Sequence, residues 1–133
     1  MTDRFSPEHR SALMARVKSK DTAPEKIVRS WLHRNGYRFR LHRKDLPGSP
    51  DIVLPKYRIV IFVHGCFWHQ HPGCRKASVP DQNRDFWEKK LSQNIVRDRR
   101  SYDALESLGW RVVVVWECEC RKEETLRDKL SFL

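Results

Sequence analysis

Residues 51–64 read DIVLPKYRIVIFVH and decide the fold. Two runs rich in β-branched residues, 51–54 and 58–63, are joined by a short turn at Pro55-Lys56. Such residues favour strands, and so short a turn favours antiparallel neighbours. The stretch therefore predicts a pair of antiparallel strands.

The flanking sequence predicts helices around this pair. A helix between two strongly apolar strands indicates a crossover with parallel pairing. The predicted elements are a helix over 22–36, an exposed strand over 37–42, a long helix over 84–108, a buried strand over 111–116 and a short helix over 123–130. The core order is thus α-β-β-β-α-β, in an α/β fold whose mixed central sheet is flanked by helices. We expect one domain, 1–133, with a basic amino-terminal segment over 1–20 and the core over 21–133.

Charge limits the partners of the chain. It carries 27 Lys and Arg against 17 Asp and Glu, a formal net charge of +10, spread along its whole length. This favours a polyanion, with nucleic acid ahead of a membrane surface, although a generally basic protein is the alternative. The first ten residues have no apolar signal region, and the apolar runs are too short to cross a bilayer. We expect a cytoplasmic protein.

Residues 66–74 read CFWHQHPGC and predict a metal site. In a reducing compartment clustered thiols indicate metal ligands before disulfides, and Cys66, His71 and Cys74 have the spacing C-x4-H-x2-C. A fourth ligand comes from WECEC, where Cys118 is preferred over Cys120 because it lies nearer the strand. A filled four-ligand site indicates structural Zn²⁺. The alternative is a set of buried, inert thiols.

A catalytic site for Mg²⁺ is predicted around Asp51. Magnesium prefers oxygen ligands, and Val63, at the end of the neighbouring strand, can offer its backbone carbonyl. Glu25 can join from the first helix. The alternatives are a turn aspartate at Asp51 and a capping box over Thr22–Glu25 that accounts for Glu25 without catalysis. A zinc-dependent base deaminase is excluded because the chain has neither the H-x-E nor the C-x-x-C that it requires.

Five motifs together make the chain resemble the very-short-patch-repair (Vsr-type) endonucleases over residues 11–118. They are DTAPEK, LPGSPD, VIFVHGCFWHQH, NIVRDRR and LGWRVVVVWEC, in that order. The resemblance implies the PD-(D/E)xK restriction-endonuclease-like fold, with histidine chemistry in place of the usual E-x-K. It also implies an enzyme that nicks DNA 5′ of the thymine in a T:G mismatch left by deamination of 5-methylcytosine.

The same resemblance implies roles for individual catalytic residues. Asp51 would bind Mg²⁺ through its carboxylate and Val63 through its main-chain oxygen, although Val63 stands where threonine is usual. His69 would be the general base, since imidazole titrates near neutral pH. His64 and Glu25 would support the site.

The metal and DNA contacts follow from the resemblance as well. Zinc would lie on Cys66, His71, Cys74 and Cys118. The alternative is a local set of ligands that includes His69, and the His71 to Cys74 spacing is one residue longer than usual. Phe67, Trp68 and Trp87 would form a wedge that enters the duplex, whereas Trp87 alone indicates core packing. Met14, Lys90 and Asn94 would contact the mismatched pair. Without the resemblance, Lys90, Asn94 and Asp98 indicate a solvated helix stripe.

Two alternative functions stay open at this point. One is a restriction-type nuclease that cuts matched duplex, and the other is a catalytically inactive DNA-binding module of the same fold. Retention of Asp51, His64 and His69 argues against the second. For the mismatch enzyme we expect double-stranded DNA with a T:G mismatch as substrate, mismatch-repair proteins as candidate partners, a monomer, and a location on the bacterial nucleoid.

Overall fold

The computed structural model describes residues 21–131 and 133. The helices are α1 (Ala23–Arg34), α2 (Arg84–Ser107) and α3 (Glu123–Lys129), and the strands are β1 (Arg40–Leu41), β2 (Ile52–Leu54), β3 (Ile59–His64) and β4 (Arg111–Trp116). Short 3₁₀ helices cover Pro55–Tyr57, Arg75–Ala77 and Glu117–Cys120. The predicted basic segment 1–20, with Met14, lies outside the described residues. No described helix is long and apolar enough to cross a membrane.

The four strands form one mixed sheet in the order β1-β2-β3-β4. β2 pairs antiparallel with both β1 and β3, whereas β3 and β4 are parallel. The predicted element order, the antiparallel pair and the crossover are therefore confirmed. The first strand is shorter than the predicted 37–42, since it begins only at Arg40. It ends at Leu41 because His42 adopts a left-handed φ of 49°.

Both faces of the sheet are covered. Alternate strand residues point to opposite faces. Ile52 and Ile61 pack with α1 and α3 through Leu32 and Leu126. Val53, Val60 and Phe62 pack on the other face with Leu105 and Trp110. The strand ends are consequently the parts of the sheet that can form an open site.

Helix α2 extends well beyond the sheet. Its 24 residues span about 36 Å. Leu105 is buried in the core, while Trp87 is buried near the other end, where its ring lies 5.7 Å from that of Phe67. Two residues of the predicted apolar stripe, Ile95 and Leu108, are 47% and 54% exposed. The predicted stripe is therefore not buried along its whole length.

Gly48 positions the turn that leads into Asp51. Its φ is +73°, and a Cβ at this position would lie 2.6 Å from Cβ of Ser101 on α2. It would also lie 3.3 Å from Cζ of Phe62. A glycine therefore lets the turn approach the helix closely, which fixes the chain just before Asp51.

We expect Gly48→Ala to destabilise the protein more than the control Gly36→Ala. Gly36 also has a positive φ, of +80°, but nothing lies within 4 Å of the place that a Cβ would occupy there. Gly36→Ala should cost about 1–2 kcal/mol from backbone strain alone, and Gly48→Ala roughly 1–3 kcal/mol more from overpacking. Urea unfolding of both variants measures the difference, and equal costs would contradict the close approach.

Candidate active site and metal cluster

Asp51 lies at the open end of the sheet, immediately before β2. The backbone N–H of Val63 donates a hydrogen bond of 2.8 Å to Asp51 Oδ2. Both residues line a cavity of about 480 Å³ together with His64 and His69. Burial raises the pKa of Asp51, and the hydrogen bond from Val63 opposes this. A carboxylate that is partly desolvated and faces a cavity is suited to bind a cation.

His69 forms a pair with Asp98, which reaches the cavity from α2. His69 Nδ1 lies 2.5 Å from Asp98 Oδ2, and both side chains are largely buried. An ionised carboxylate can only accept, so Nδ1 carries the proton and Nε2 keeps a lone pair. This arrangement makes Nε2 a proton acceptor. The sequence predicted His69 but missed Asp98, which it assigned to a solvated stripe.

His64 lies against His69 and is buried. The two imidazole rings stack with centroids 3.7 Å apart, and His64 Nε2 lies 2.6 Å from the hydroxyl oxygen of Tyr102. Burial, followed by the charges of His69 and Arg97, lowers the pKa of His64 to about 3. Burial also raises the pKa of Tyr102. At neutral pH His64 is therefore uncharged and suited to support its neighbour.

Glu25 combines a capping role with a contact to the cavity wall. Thr22 Oγ1 accepts from the Glu25 backbone N–H, and the Glu25 carboxylate accepts from the backbone N–H of Asp21, each at 3.3 Å. The carboxylate pairs with Arg29 and lies 3.0 Å from His42 Nε2. His42 in turn lines the cavity that contains Asp51. Glu25 thus reaches the site through His42, a residue that the sequence did not single out.

Four predicted zinc ligands lie together beside the active site. The ligand atoms of Cys66, His71, Cys74 and Cys118 are all within 4.8 Å of one another. His71 Nδ1 is 3.7 Å from Cys66 Sγ and 3.4 Å from Cys118 Sγ. Neighbouring ligands of a tetrahedral Zn²⁺ are roughly 3.3–3.8 Å apart. The three sulfurs and one nitrogen therefore have both the chemistry and the spacing of a zinc site.

The cysteine thiols have different environments within this cluster. Burial raises the pKa of Cys66 to about 12 and also raises that of Cys118. The backbone N–H of Lys76 lowers the pKa of Cys74. Metal binding requires thiolates, so an ion here would displace protons and add its binding energy to folding.

Cys120 and His69 lie apart from the cluster. Cys120 is 5% exposed and packs in the core beneath α1 and α3. Its Sγ lies 3.7 Å from the carbonyl oxygen of Trp116. His69 instead groups with His64 and Asp98. Of the alternatives open from sequence, the structure brings Cys118 to the other three ligands and leaves His69 on the cavity.

Aromatic side chains form the outer part of the same loop. Phe67 and Trp68 are partly exposed, whereas Trp87 beneath them is fully buried. The Lys90 ammonium lies 5.4 Å from the centre of the Trp68 ring. Asn94 Nδ2 donates a hydrogen bond of 3.1 Å to the Trp68 carbonyl. Lys90 and Asn94, which the sequence predicted to contact DNA, thus contact this loop from α2. Trp87 packs beneath the loop.

Sequence comparisons match this chain to known proteins. The model of the family "DNA mismatch endonuclease Vsr" matches residues 2–76. The type II nicking enzyme V.XorIIP of Xanthomonas oryzae pv. oryzae is 61% identical over 130 residues, covering 98% of this chain and 95% of the relative. V.NmeAIP of Neisseria meningitidis, also named a type II nicking enzyme, is 44% identical, covering 100% and 94%.

A relative that is named a mismatch endonuclease matches as well. DNA mismatch endonuclease Vsr of Escherichia coli K12 is 45% identical over 129 residues, covering 97% of this chain and 82% of the relative. The family match spans Asp51 with the strand β2 that follows it, the strand β3 that carries Val63, and the loop that carries His69. The resemblance found in the motifs is therefore confirmed: the chain belongs to the Vsr family of DNA mismatch endonucleases and is a DNA-cleaving hydrolase.

Proposed function

We propose that this endonuclease nicks one strand of duplex DNA 5′ of the thymine in a T:G mismatch and so starts very short patch repair. The observation that carries the proposal is the meeting of Asp51 and the His69–Asp98 pair at one cavity, with the partly exposed Phe67 and Trp68 directly before His69 in the same loop. The element order, with Asp51 before β2, fits the PD-(D/E)xK nuclease core. Family membership supports mismatched DNA as the substrate.

In this proposal Asp51 and Val63 hold Mg²⁺ through a carboxylate and a main-chain carbonyl. The residues fit this ion, because hard oxygen donors suit magnesium and a cation would offset the burial of the Asp51 carboxylate. When bound, the ion supplies charge stabilisation at the phosphate and lowers the pKa of a bound water. Lys44 and Arg97 line the cavity and add positive charge near a phosphate.

His69 is the general base of the proposed reaction. Asp98 holds the ring so that Nε2 is the free acceptor, and it stabilises the imidazolium that forms when His69 takes a proton from water. The neutral His64 ring stacks on His69 and limits its rotation. Glu25 holds His42, which also lines the cavity.

Zinc on Cys66, His71, Cys74 and Cys118 is structural in this proposal. Four protein ligands leave no open position for catalysis by the ion. The cluster would instead join the loop after β3 to the end of β4. This preorganises His69 and the aromatic residues, which lie in the same loop.

Mismatch selection would come from the aromatic loop. Phe67 and Trp68 are partly exposed and would enter the base stack, while the buried Trp87 supports them from below. Unstacking a base step costs roughly a few kcal/mol, and less at a mismatched step. Lys90 and Asn94, which adjoin Trp68, would also reach the mismatched pair, together with Met14.

The wider context of the proposal rests on charge and on the bacterial relatives. A net charge of +10 suits a monomer that binds the nucleoid through DNA phosphates. In the cytoplasm such an enzyme would meet mismatch-repair proteins at the same lesions.

The reaction is tested with end-labelled duplexes that differ only in a T:G mismatch or its matched C:G pair. With magnesium we expect one nick, 5′ of the mismatched thymine, in several flanking sequences. Asp51→Asn should abolish nicking, whereas the control Asp45→Asn should retain it, since Asp45 is exposed and pairs only with Arg43 among the described residues. Double-strand cleavage of matched DNA would instead identify a restriction-type enzyme.

Asp98→Asn should lower the single-turnover rate by roughly 100-fold or more without loss of stability. The amide cannot hold the His69 tautomer or stabilise the imidazolium as a carboxylate does. Asp103→Asn is the matched control on the same helix, because Asp103 is exposed and lies 3.7 Å from Arg99. Equal rates for the two variants would remove Asp98 from the proposed mechanism.

Cys118→Ser should lose the bound zinc, and Cys120→Ser should keep it. Loss of a structural ion removes its contribution to folding, so the melting temperature of Cys118→Ser should fall by roughly 10 °C or more. Zinc content by atomic absorption and thermal unfolding measure both effects. One zinc per chain in Cys118→Ser, with unchanged melting, would defeat the proposed ligand set.

A further inference from the structure

A second cavity lies at the other end of the sheet from Asp51. It measures about 650 Å³ and opens between the start of β1 and the 3₁₀ turn after β2. We name it the edge groove, and its lining includes Tyr37, Arg38, Phe39, Arg40, Lys56 and Tyr57. Because β2 spans only three residues, the two cavities are separated by roughly 10 Å along the sheet.

The edge groove has an excess of positive charge. Arg38, Arg40 and Lys56 are all exposed. Within the part of the chain that the structure describes, none of the three forms an ion pair with a carboxylate. A phosphate could therefore bind without displacing a carboxylate.

Aromatic rings accompany these cations. Tyr57 is 44% exposed, and its ring meets that of Tyr37 edge-on at 5.7 Å. Tyr37 is held from behind by a stacked contact with Trp31. Basic grooves with fixed aromatic rings are typical of sites that follow a nucleic-acid strand, since phosphates meet the cations and nucleosides pack on the rings.

Strand β1 connects the edge groove to the catalytic cavity. Arg40 lines the groove, and His42, two residues later, lines the cavity that contains Asp51. Lys44 continues the basic series into the same cavity. β1 also lies at the edge of the described sheet, so its outer side has no strand neighbour among the described residues. An acidic protein segment would match the charge, but only a DNA strand accounts for continuity with the cleavage site.

We infer that the edge groove binds the DNA strand that flanks the cleaved bond. Arg38, Arg40 and Lys56 contact its phosphates, and Tyr57 packs against a nucleoside. The inference rests on the DNA-cleaving activity and is independent of the proposed preference for T:G mismatches. It gives the enzyme a second contact with its substrate, outside the catalytic cavity.

The test compares Arg38→Gln/Lys56→Gln with a control of equal charge change, Arg121→Gln/Arg127→Gln. Arg121 and Arg127 are exposed and line neither cavity. Binding of long matched and mismatched duplexes is measured without magnesium over a range of salt. Each lost phosphate contact reduces the slope of log K against log salt by about 0.9, so the groove variant should lose about 1.8. The control should keep the wild-type slope.

Binding to duplexes of different lengths shows on which side of the cleavage site the edge groove contacts DNA. When the duplex is shortened stepwise on either side of the cleavage site, the difference between wild type and the groove variant should disappear on one side only. The single-turnover nicking rate of the Arg121→Gln/Arg127→Gln control should match that of the wild type, because these residues line neither cavity. If the enzyme shows no preference for T:G mismatches, the proposed function fails. The difference in salt slope between the wild type and the groove variant is expected all the same.

Two results would overturn the inference. One is a wild-type salt slope in the groove variant. The other is a binding defect that persists on the shortest duplexes, which would mean that the substitutions act through the fold. An unchanged slope combined with binding of a Glu-rich synthetic peptide, lost in the groove variant, would assign the groove to an acidic protein segment.

Discussion

The cluster of Cys66, His71, Cys74 and Cys118 is the constraint on which the active site depends. Parallel pairing of β3 and β4 brings His64 opposite Trp116, so the segments that follow both strands leave the same end of the sheet. The cluster then joins these two segments. Between β3 and α2 the chain has only one short 3₁₀ helix, and long loops without such ties adopt many conformations. The zinc that we propose for this cluster would therefore fix the loop that carries His69 and the aromatic residues.

The ionisable groups of the candidate active site lie in different environments. Burial keeps His64 neutral, while the neighbouring His69 pairs with Asp98, which in the proposed mechanism prepares it to accept a proton. Burial raises the pKa of Asp51, and the divalent cation of the proposed mechanism would offset this burial. These differences arise from contacts with α2. On this helix, Asp98 pairs with His69 and Tyr102 pairs with His64. The long crossover helix thus contributes to the proposed active site as well as to the core.

The sequence was sufficient for the order of elements, because the hairpin, the long helix and the buried last strand each have a strong local pattern. It was insufficient for contacts that join distant segments. Asp98 is 29 residues from His69, and His42 is 17 residues from Glu25, so neither pair has a local signal. Trp87 is similar, since helical spacing predicts that it is buried but not that it packs under Phe67. The groove beside β1 also depends on tertiary structure, because it combines residues from two separate turns.

X-ray absorption spectroscopy at the zinc edge tests the central claim most directly. A cluster of Cys66, His71, Cys74 and Cys118 predicts three sulfur neighbours at about 2.3 Å and one nitrogen neighbour at about 2.0 Å. That result would leave His69 free to act at the cavity. Two sulfurs with two nitrogens would place a second histidine on the ion, and the proposed separation of the structural metal from the catalytic base would then be wrong.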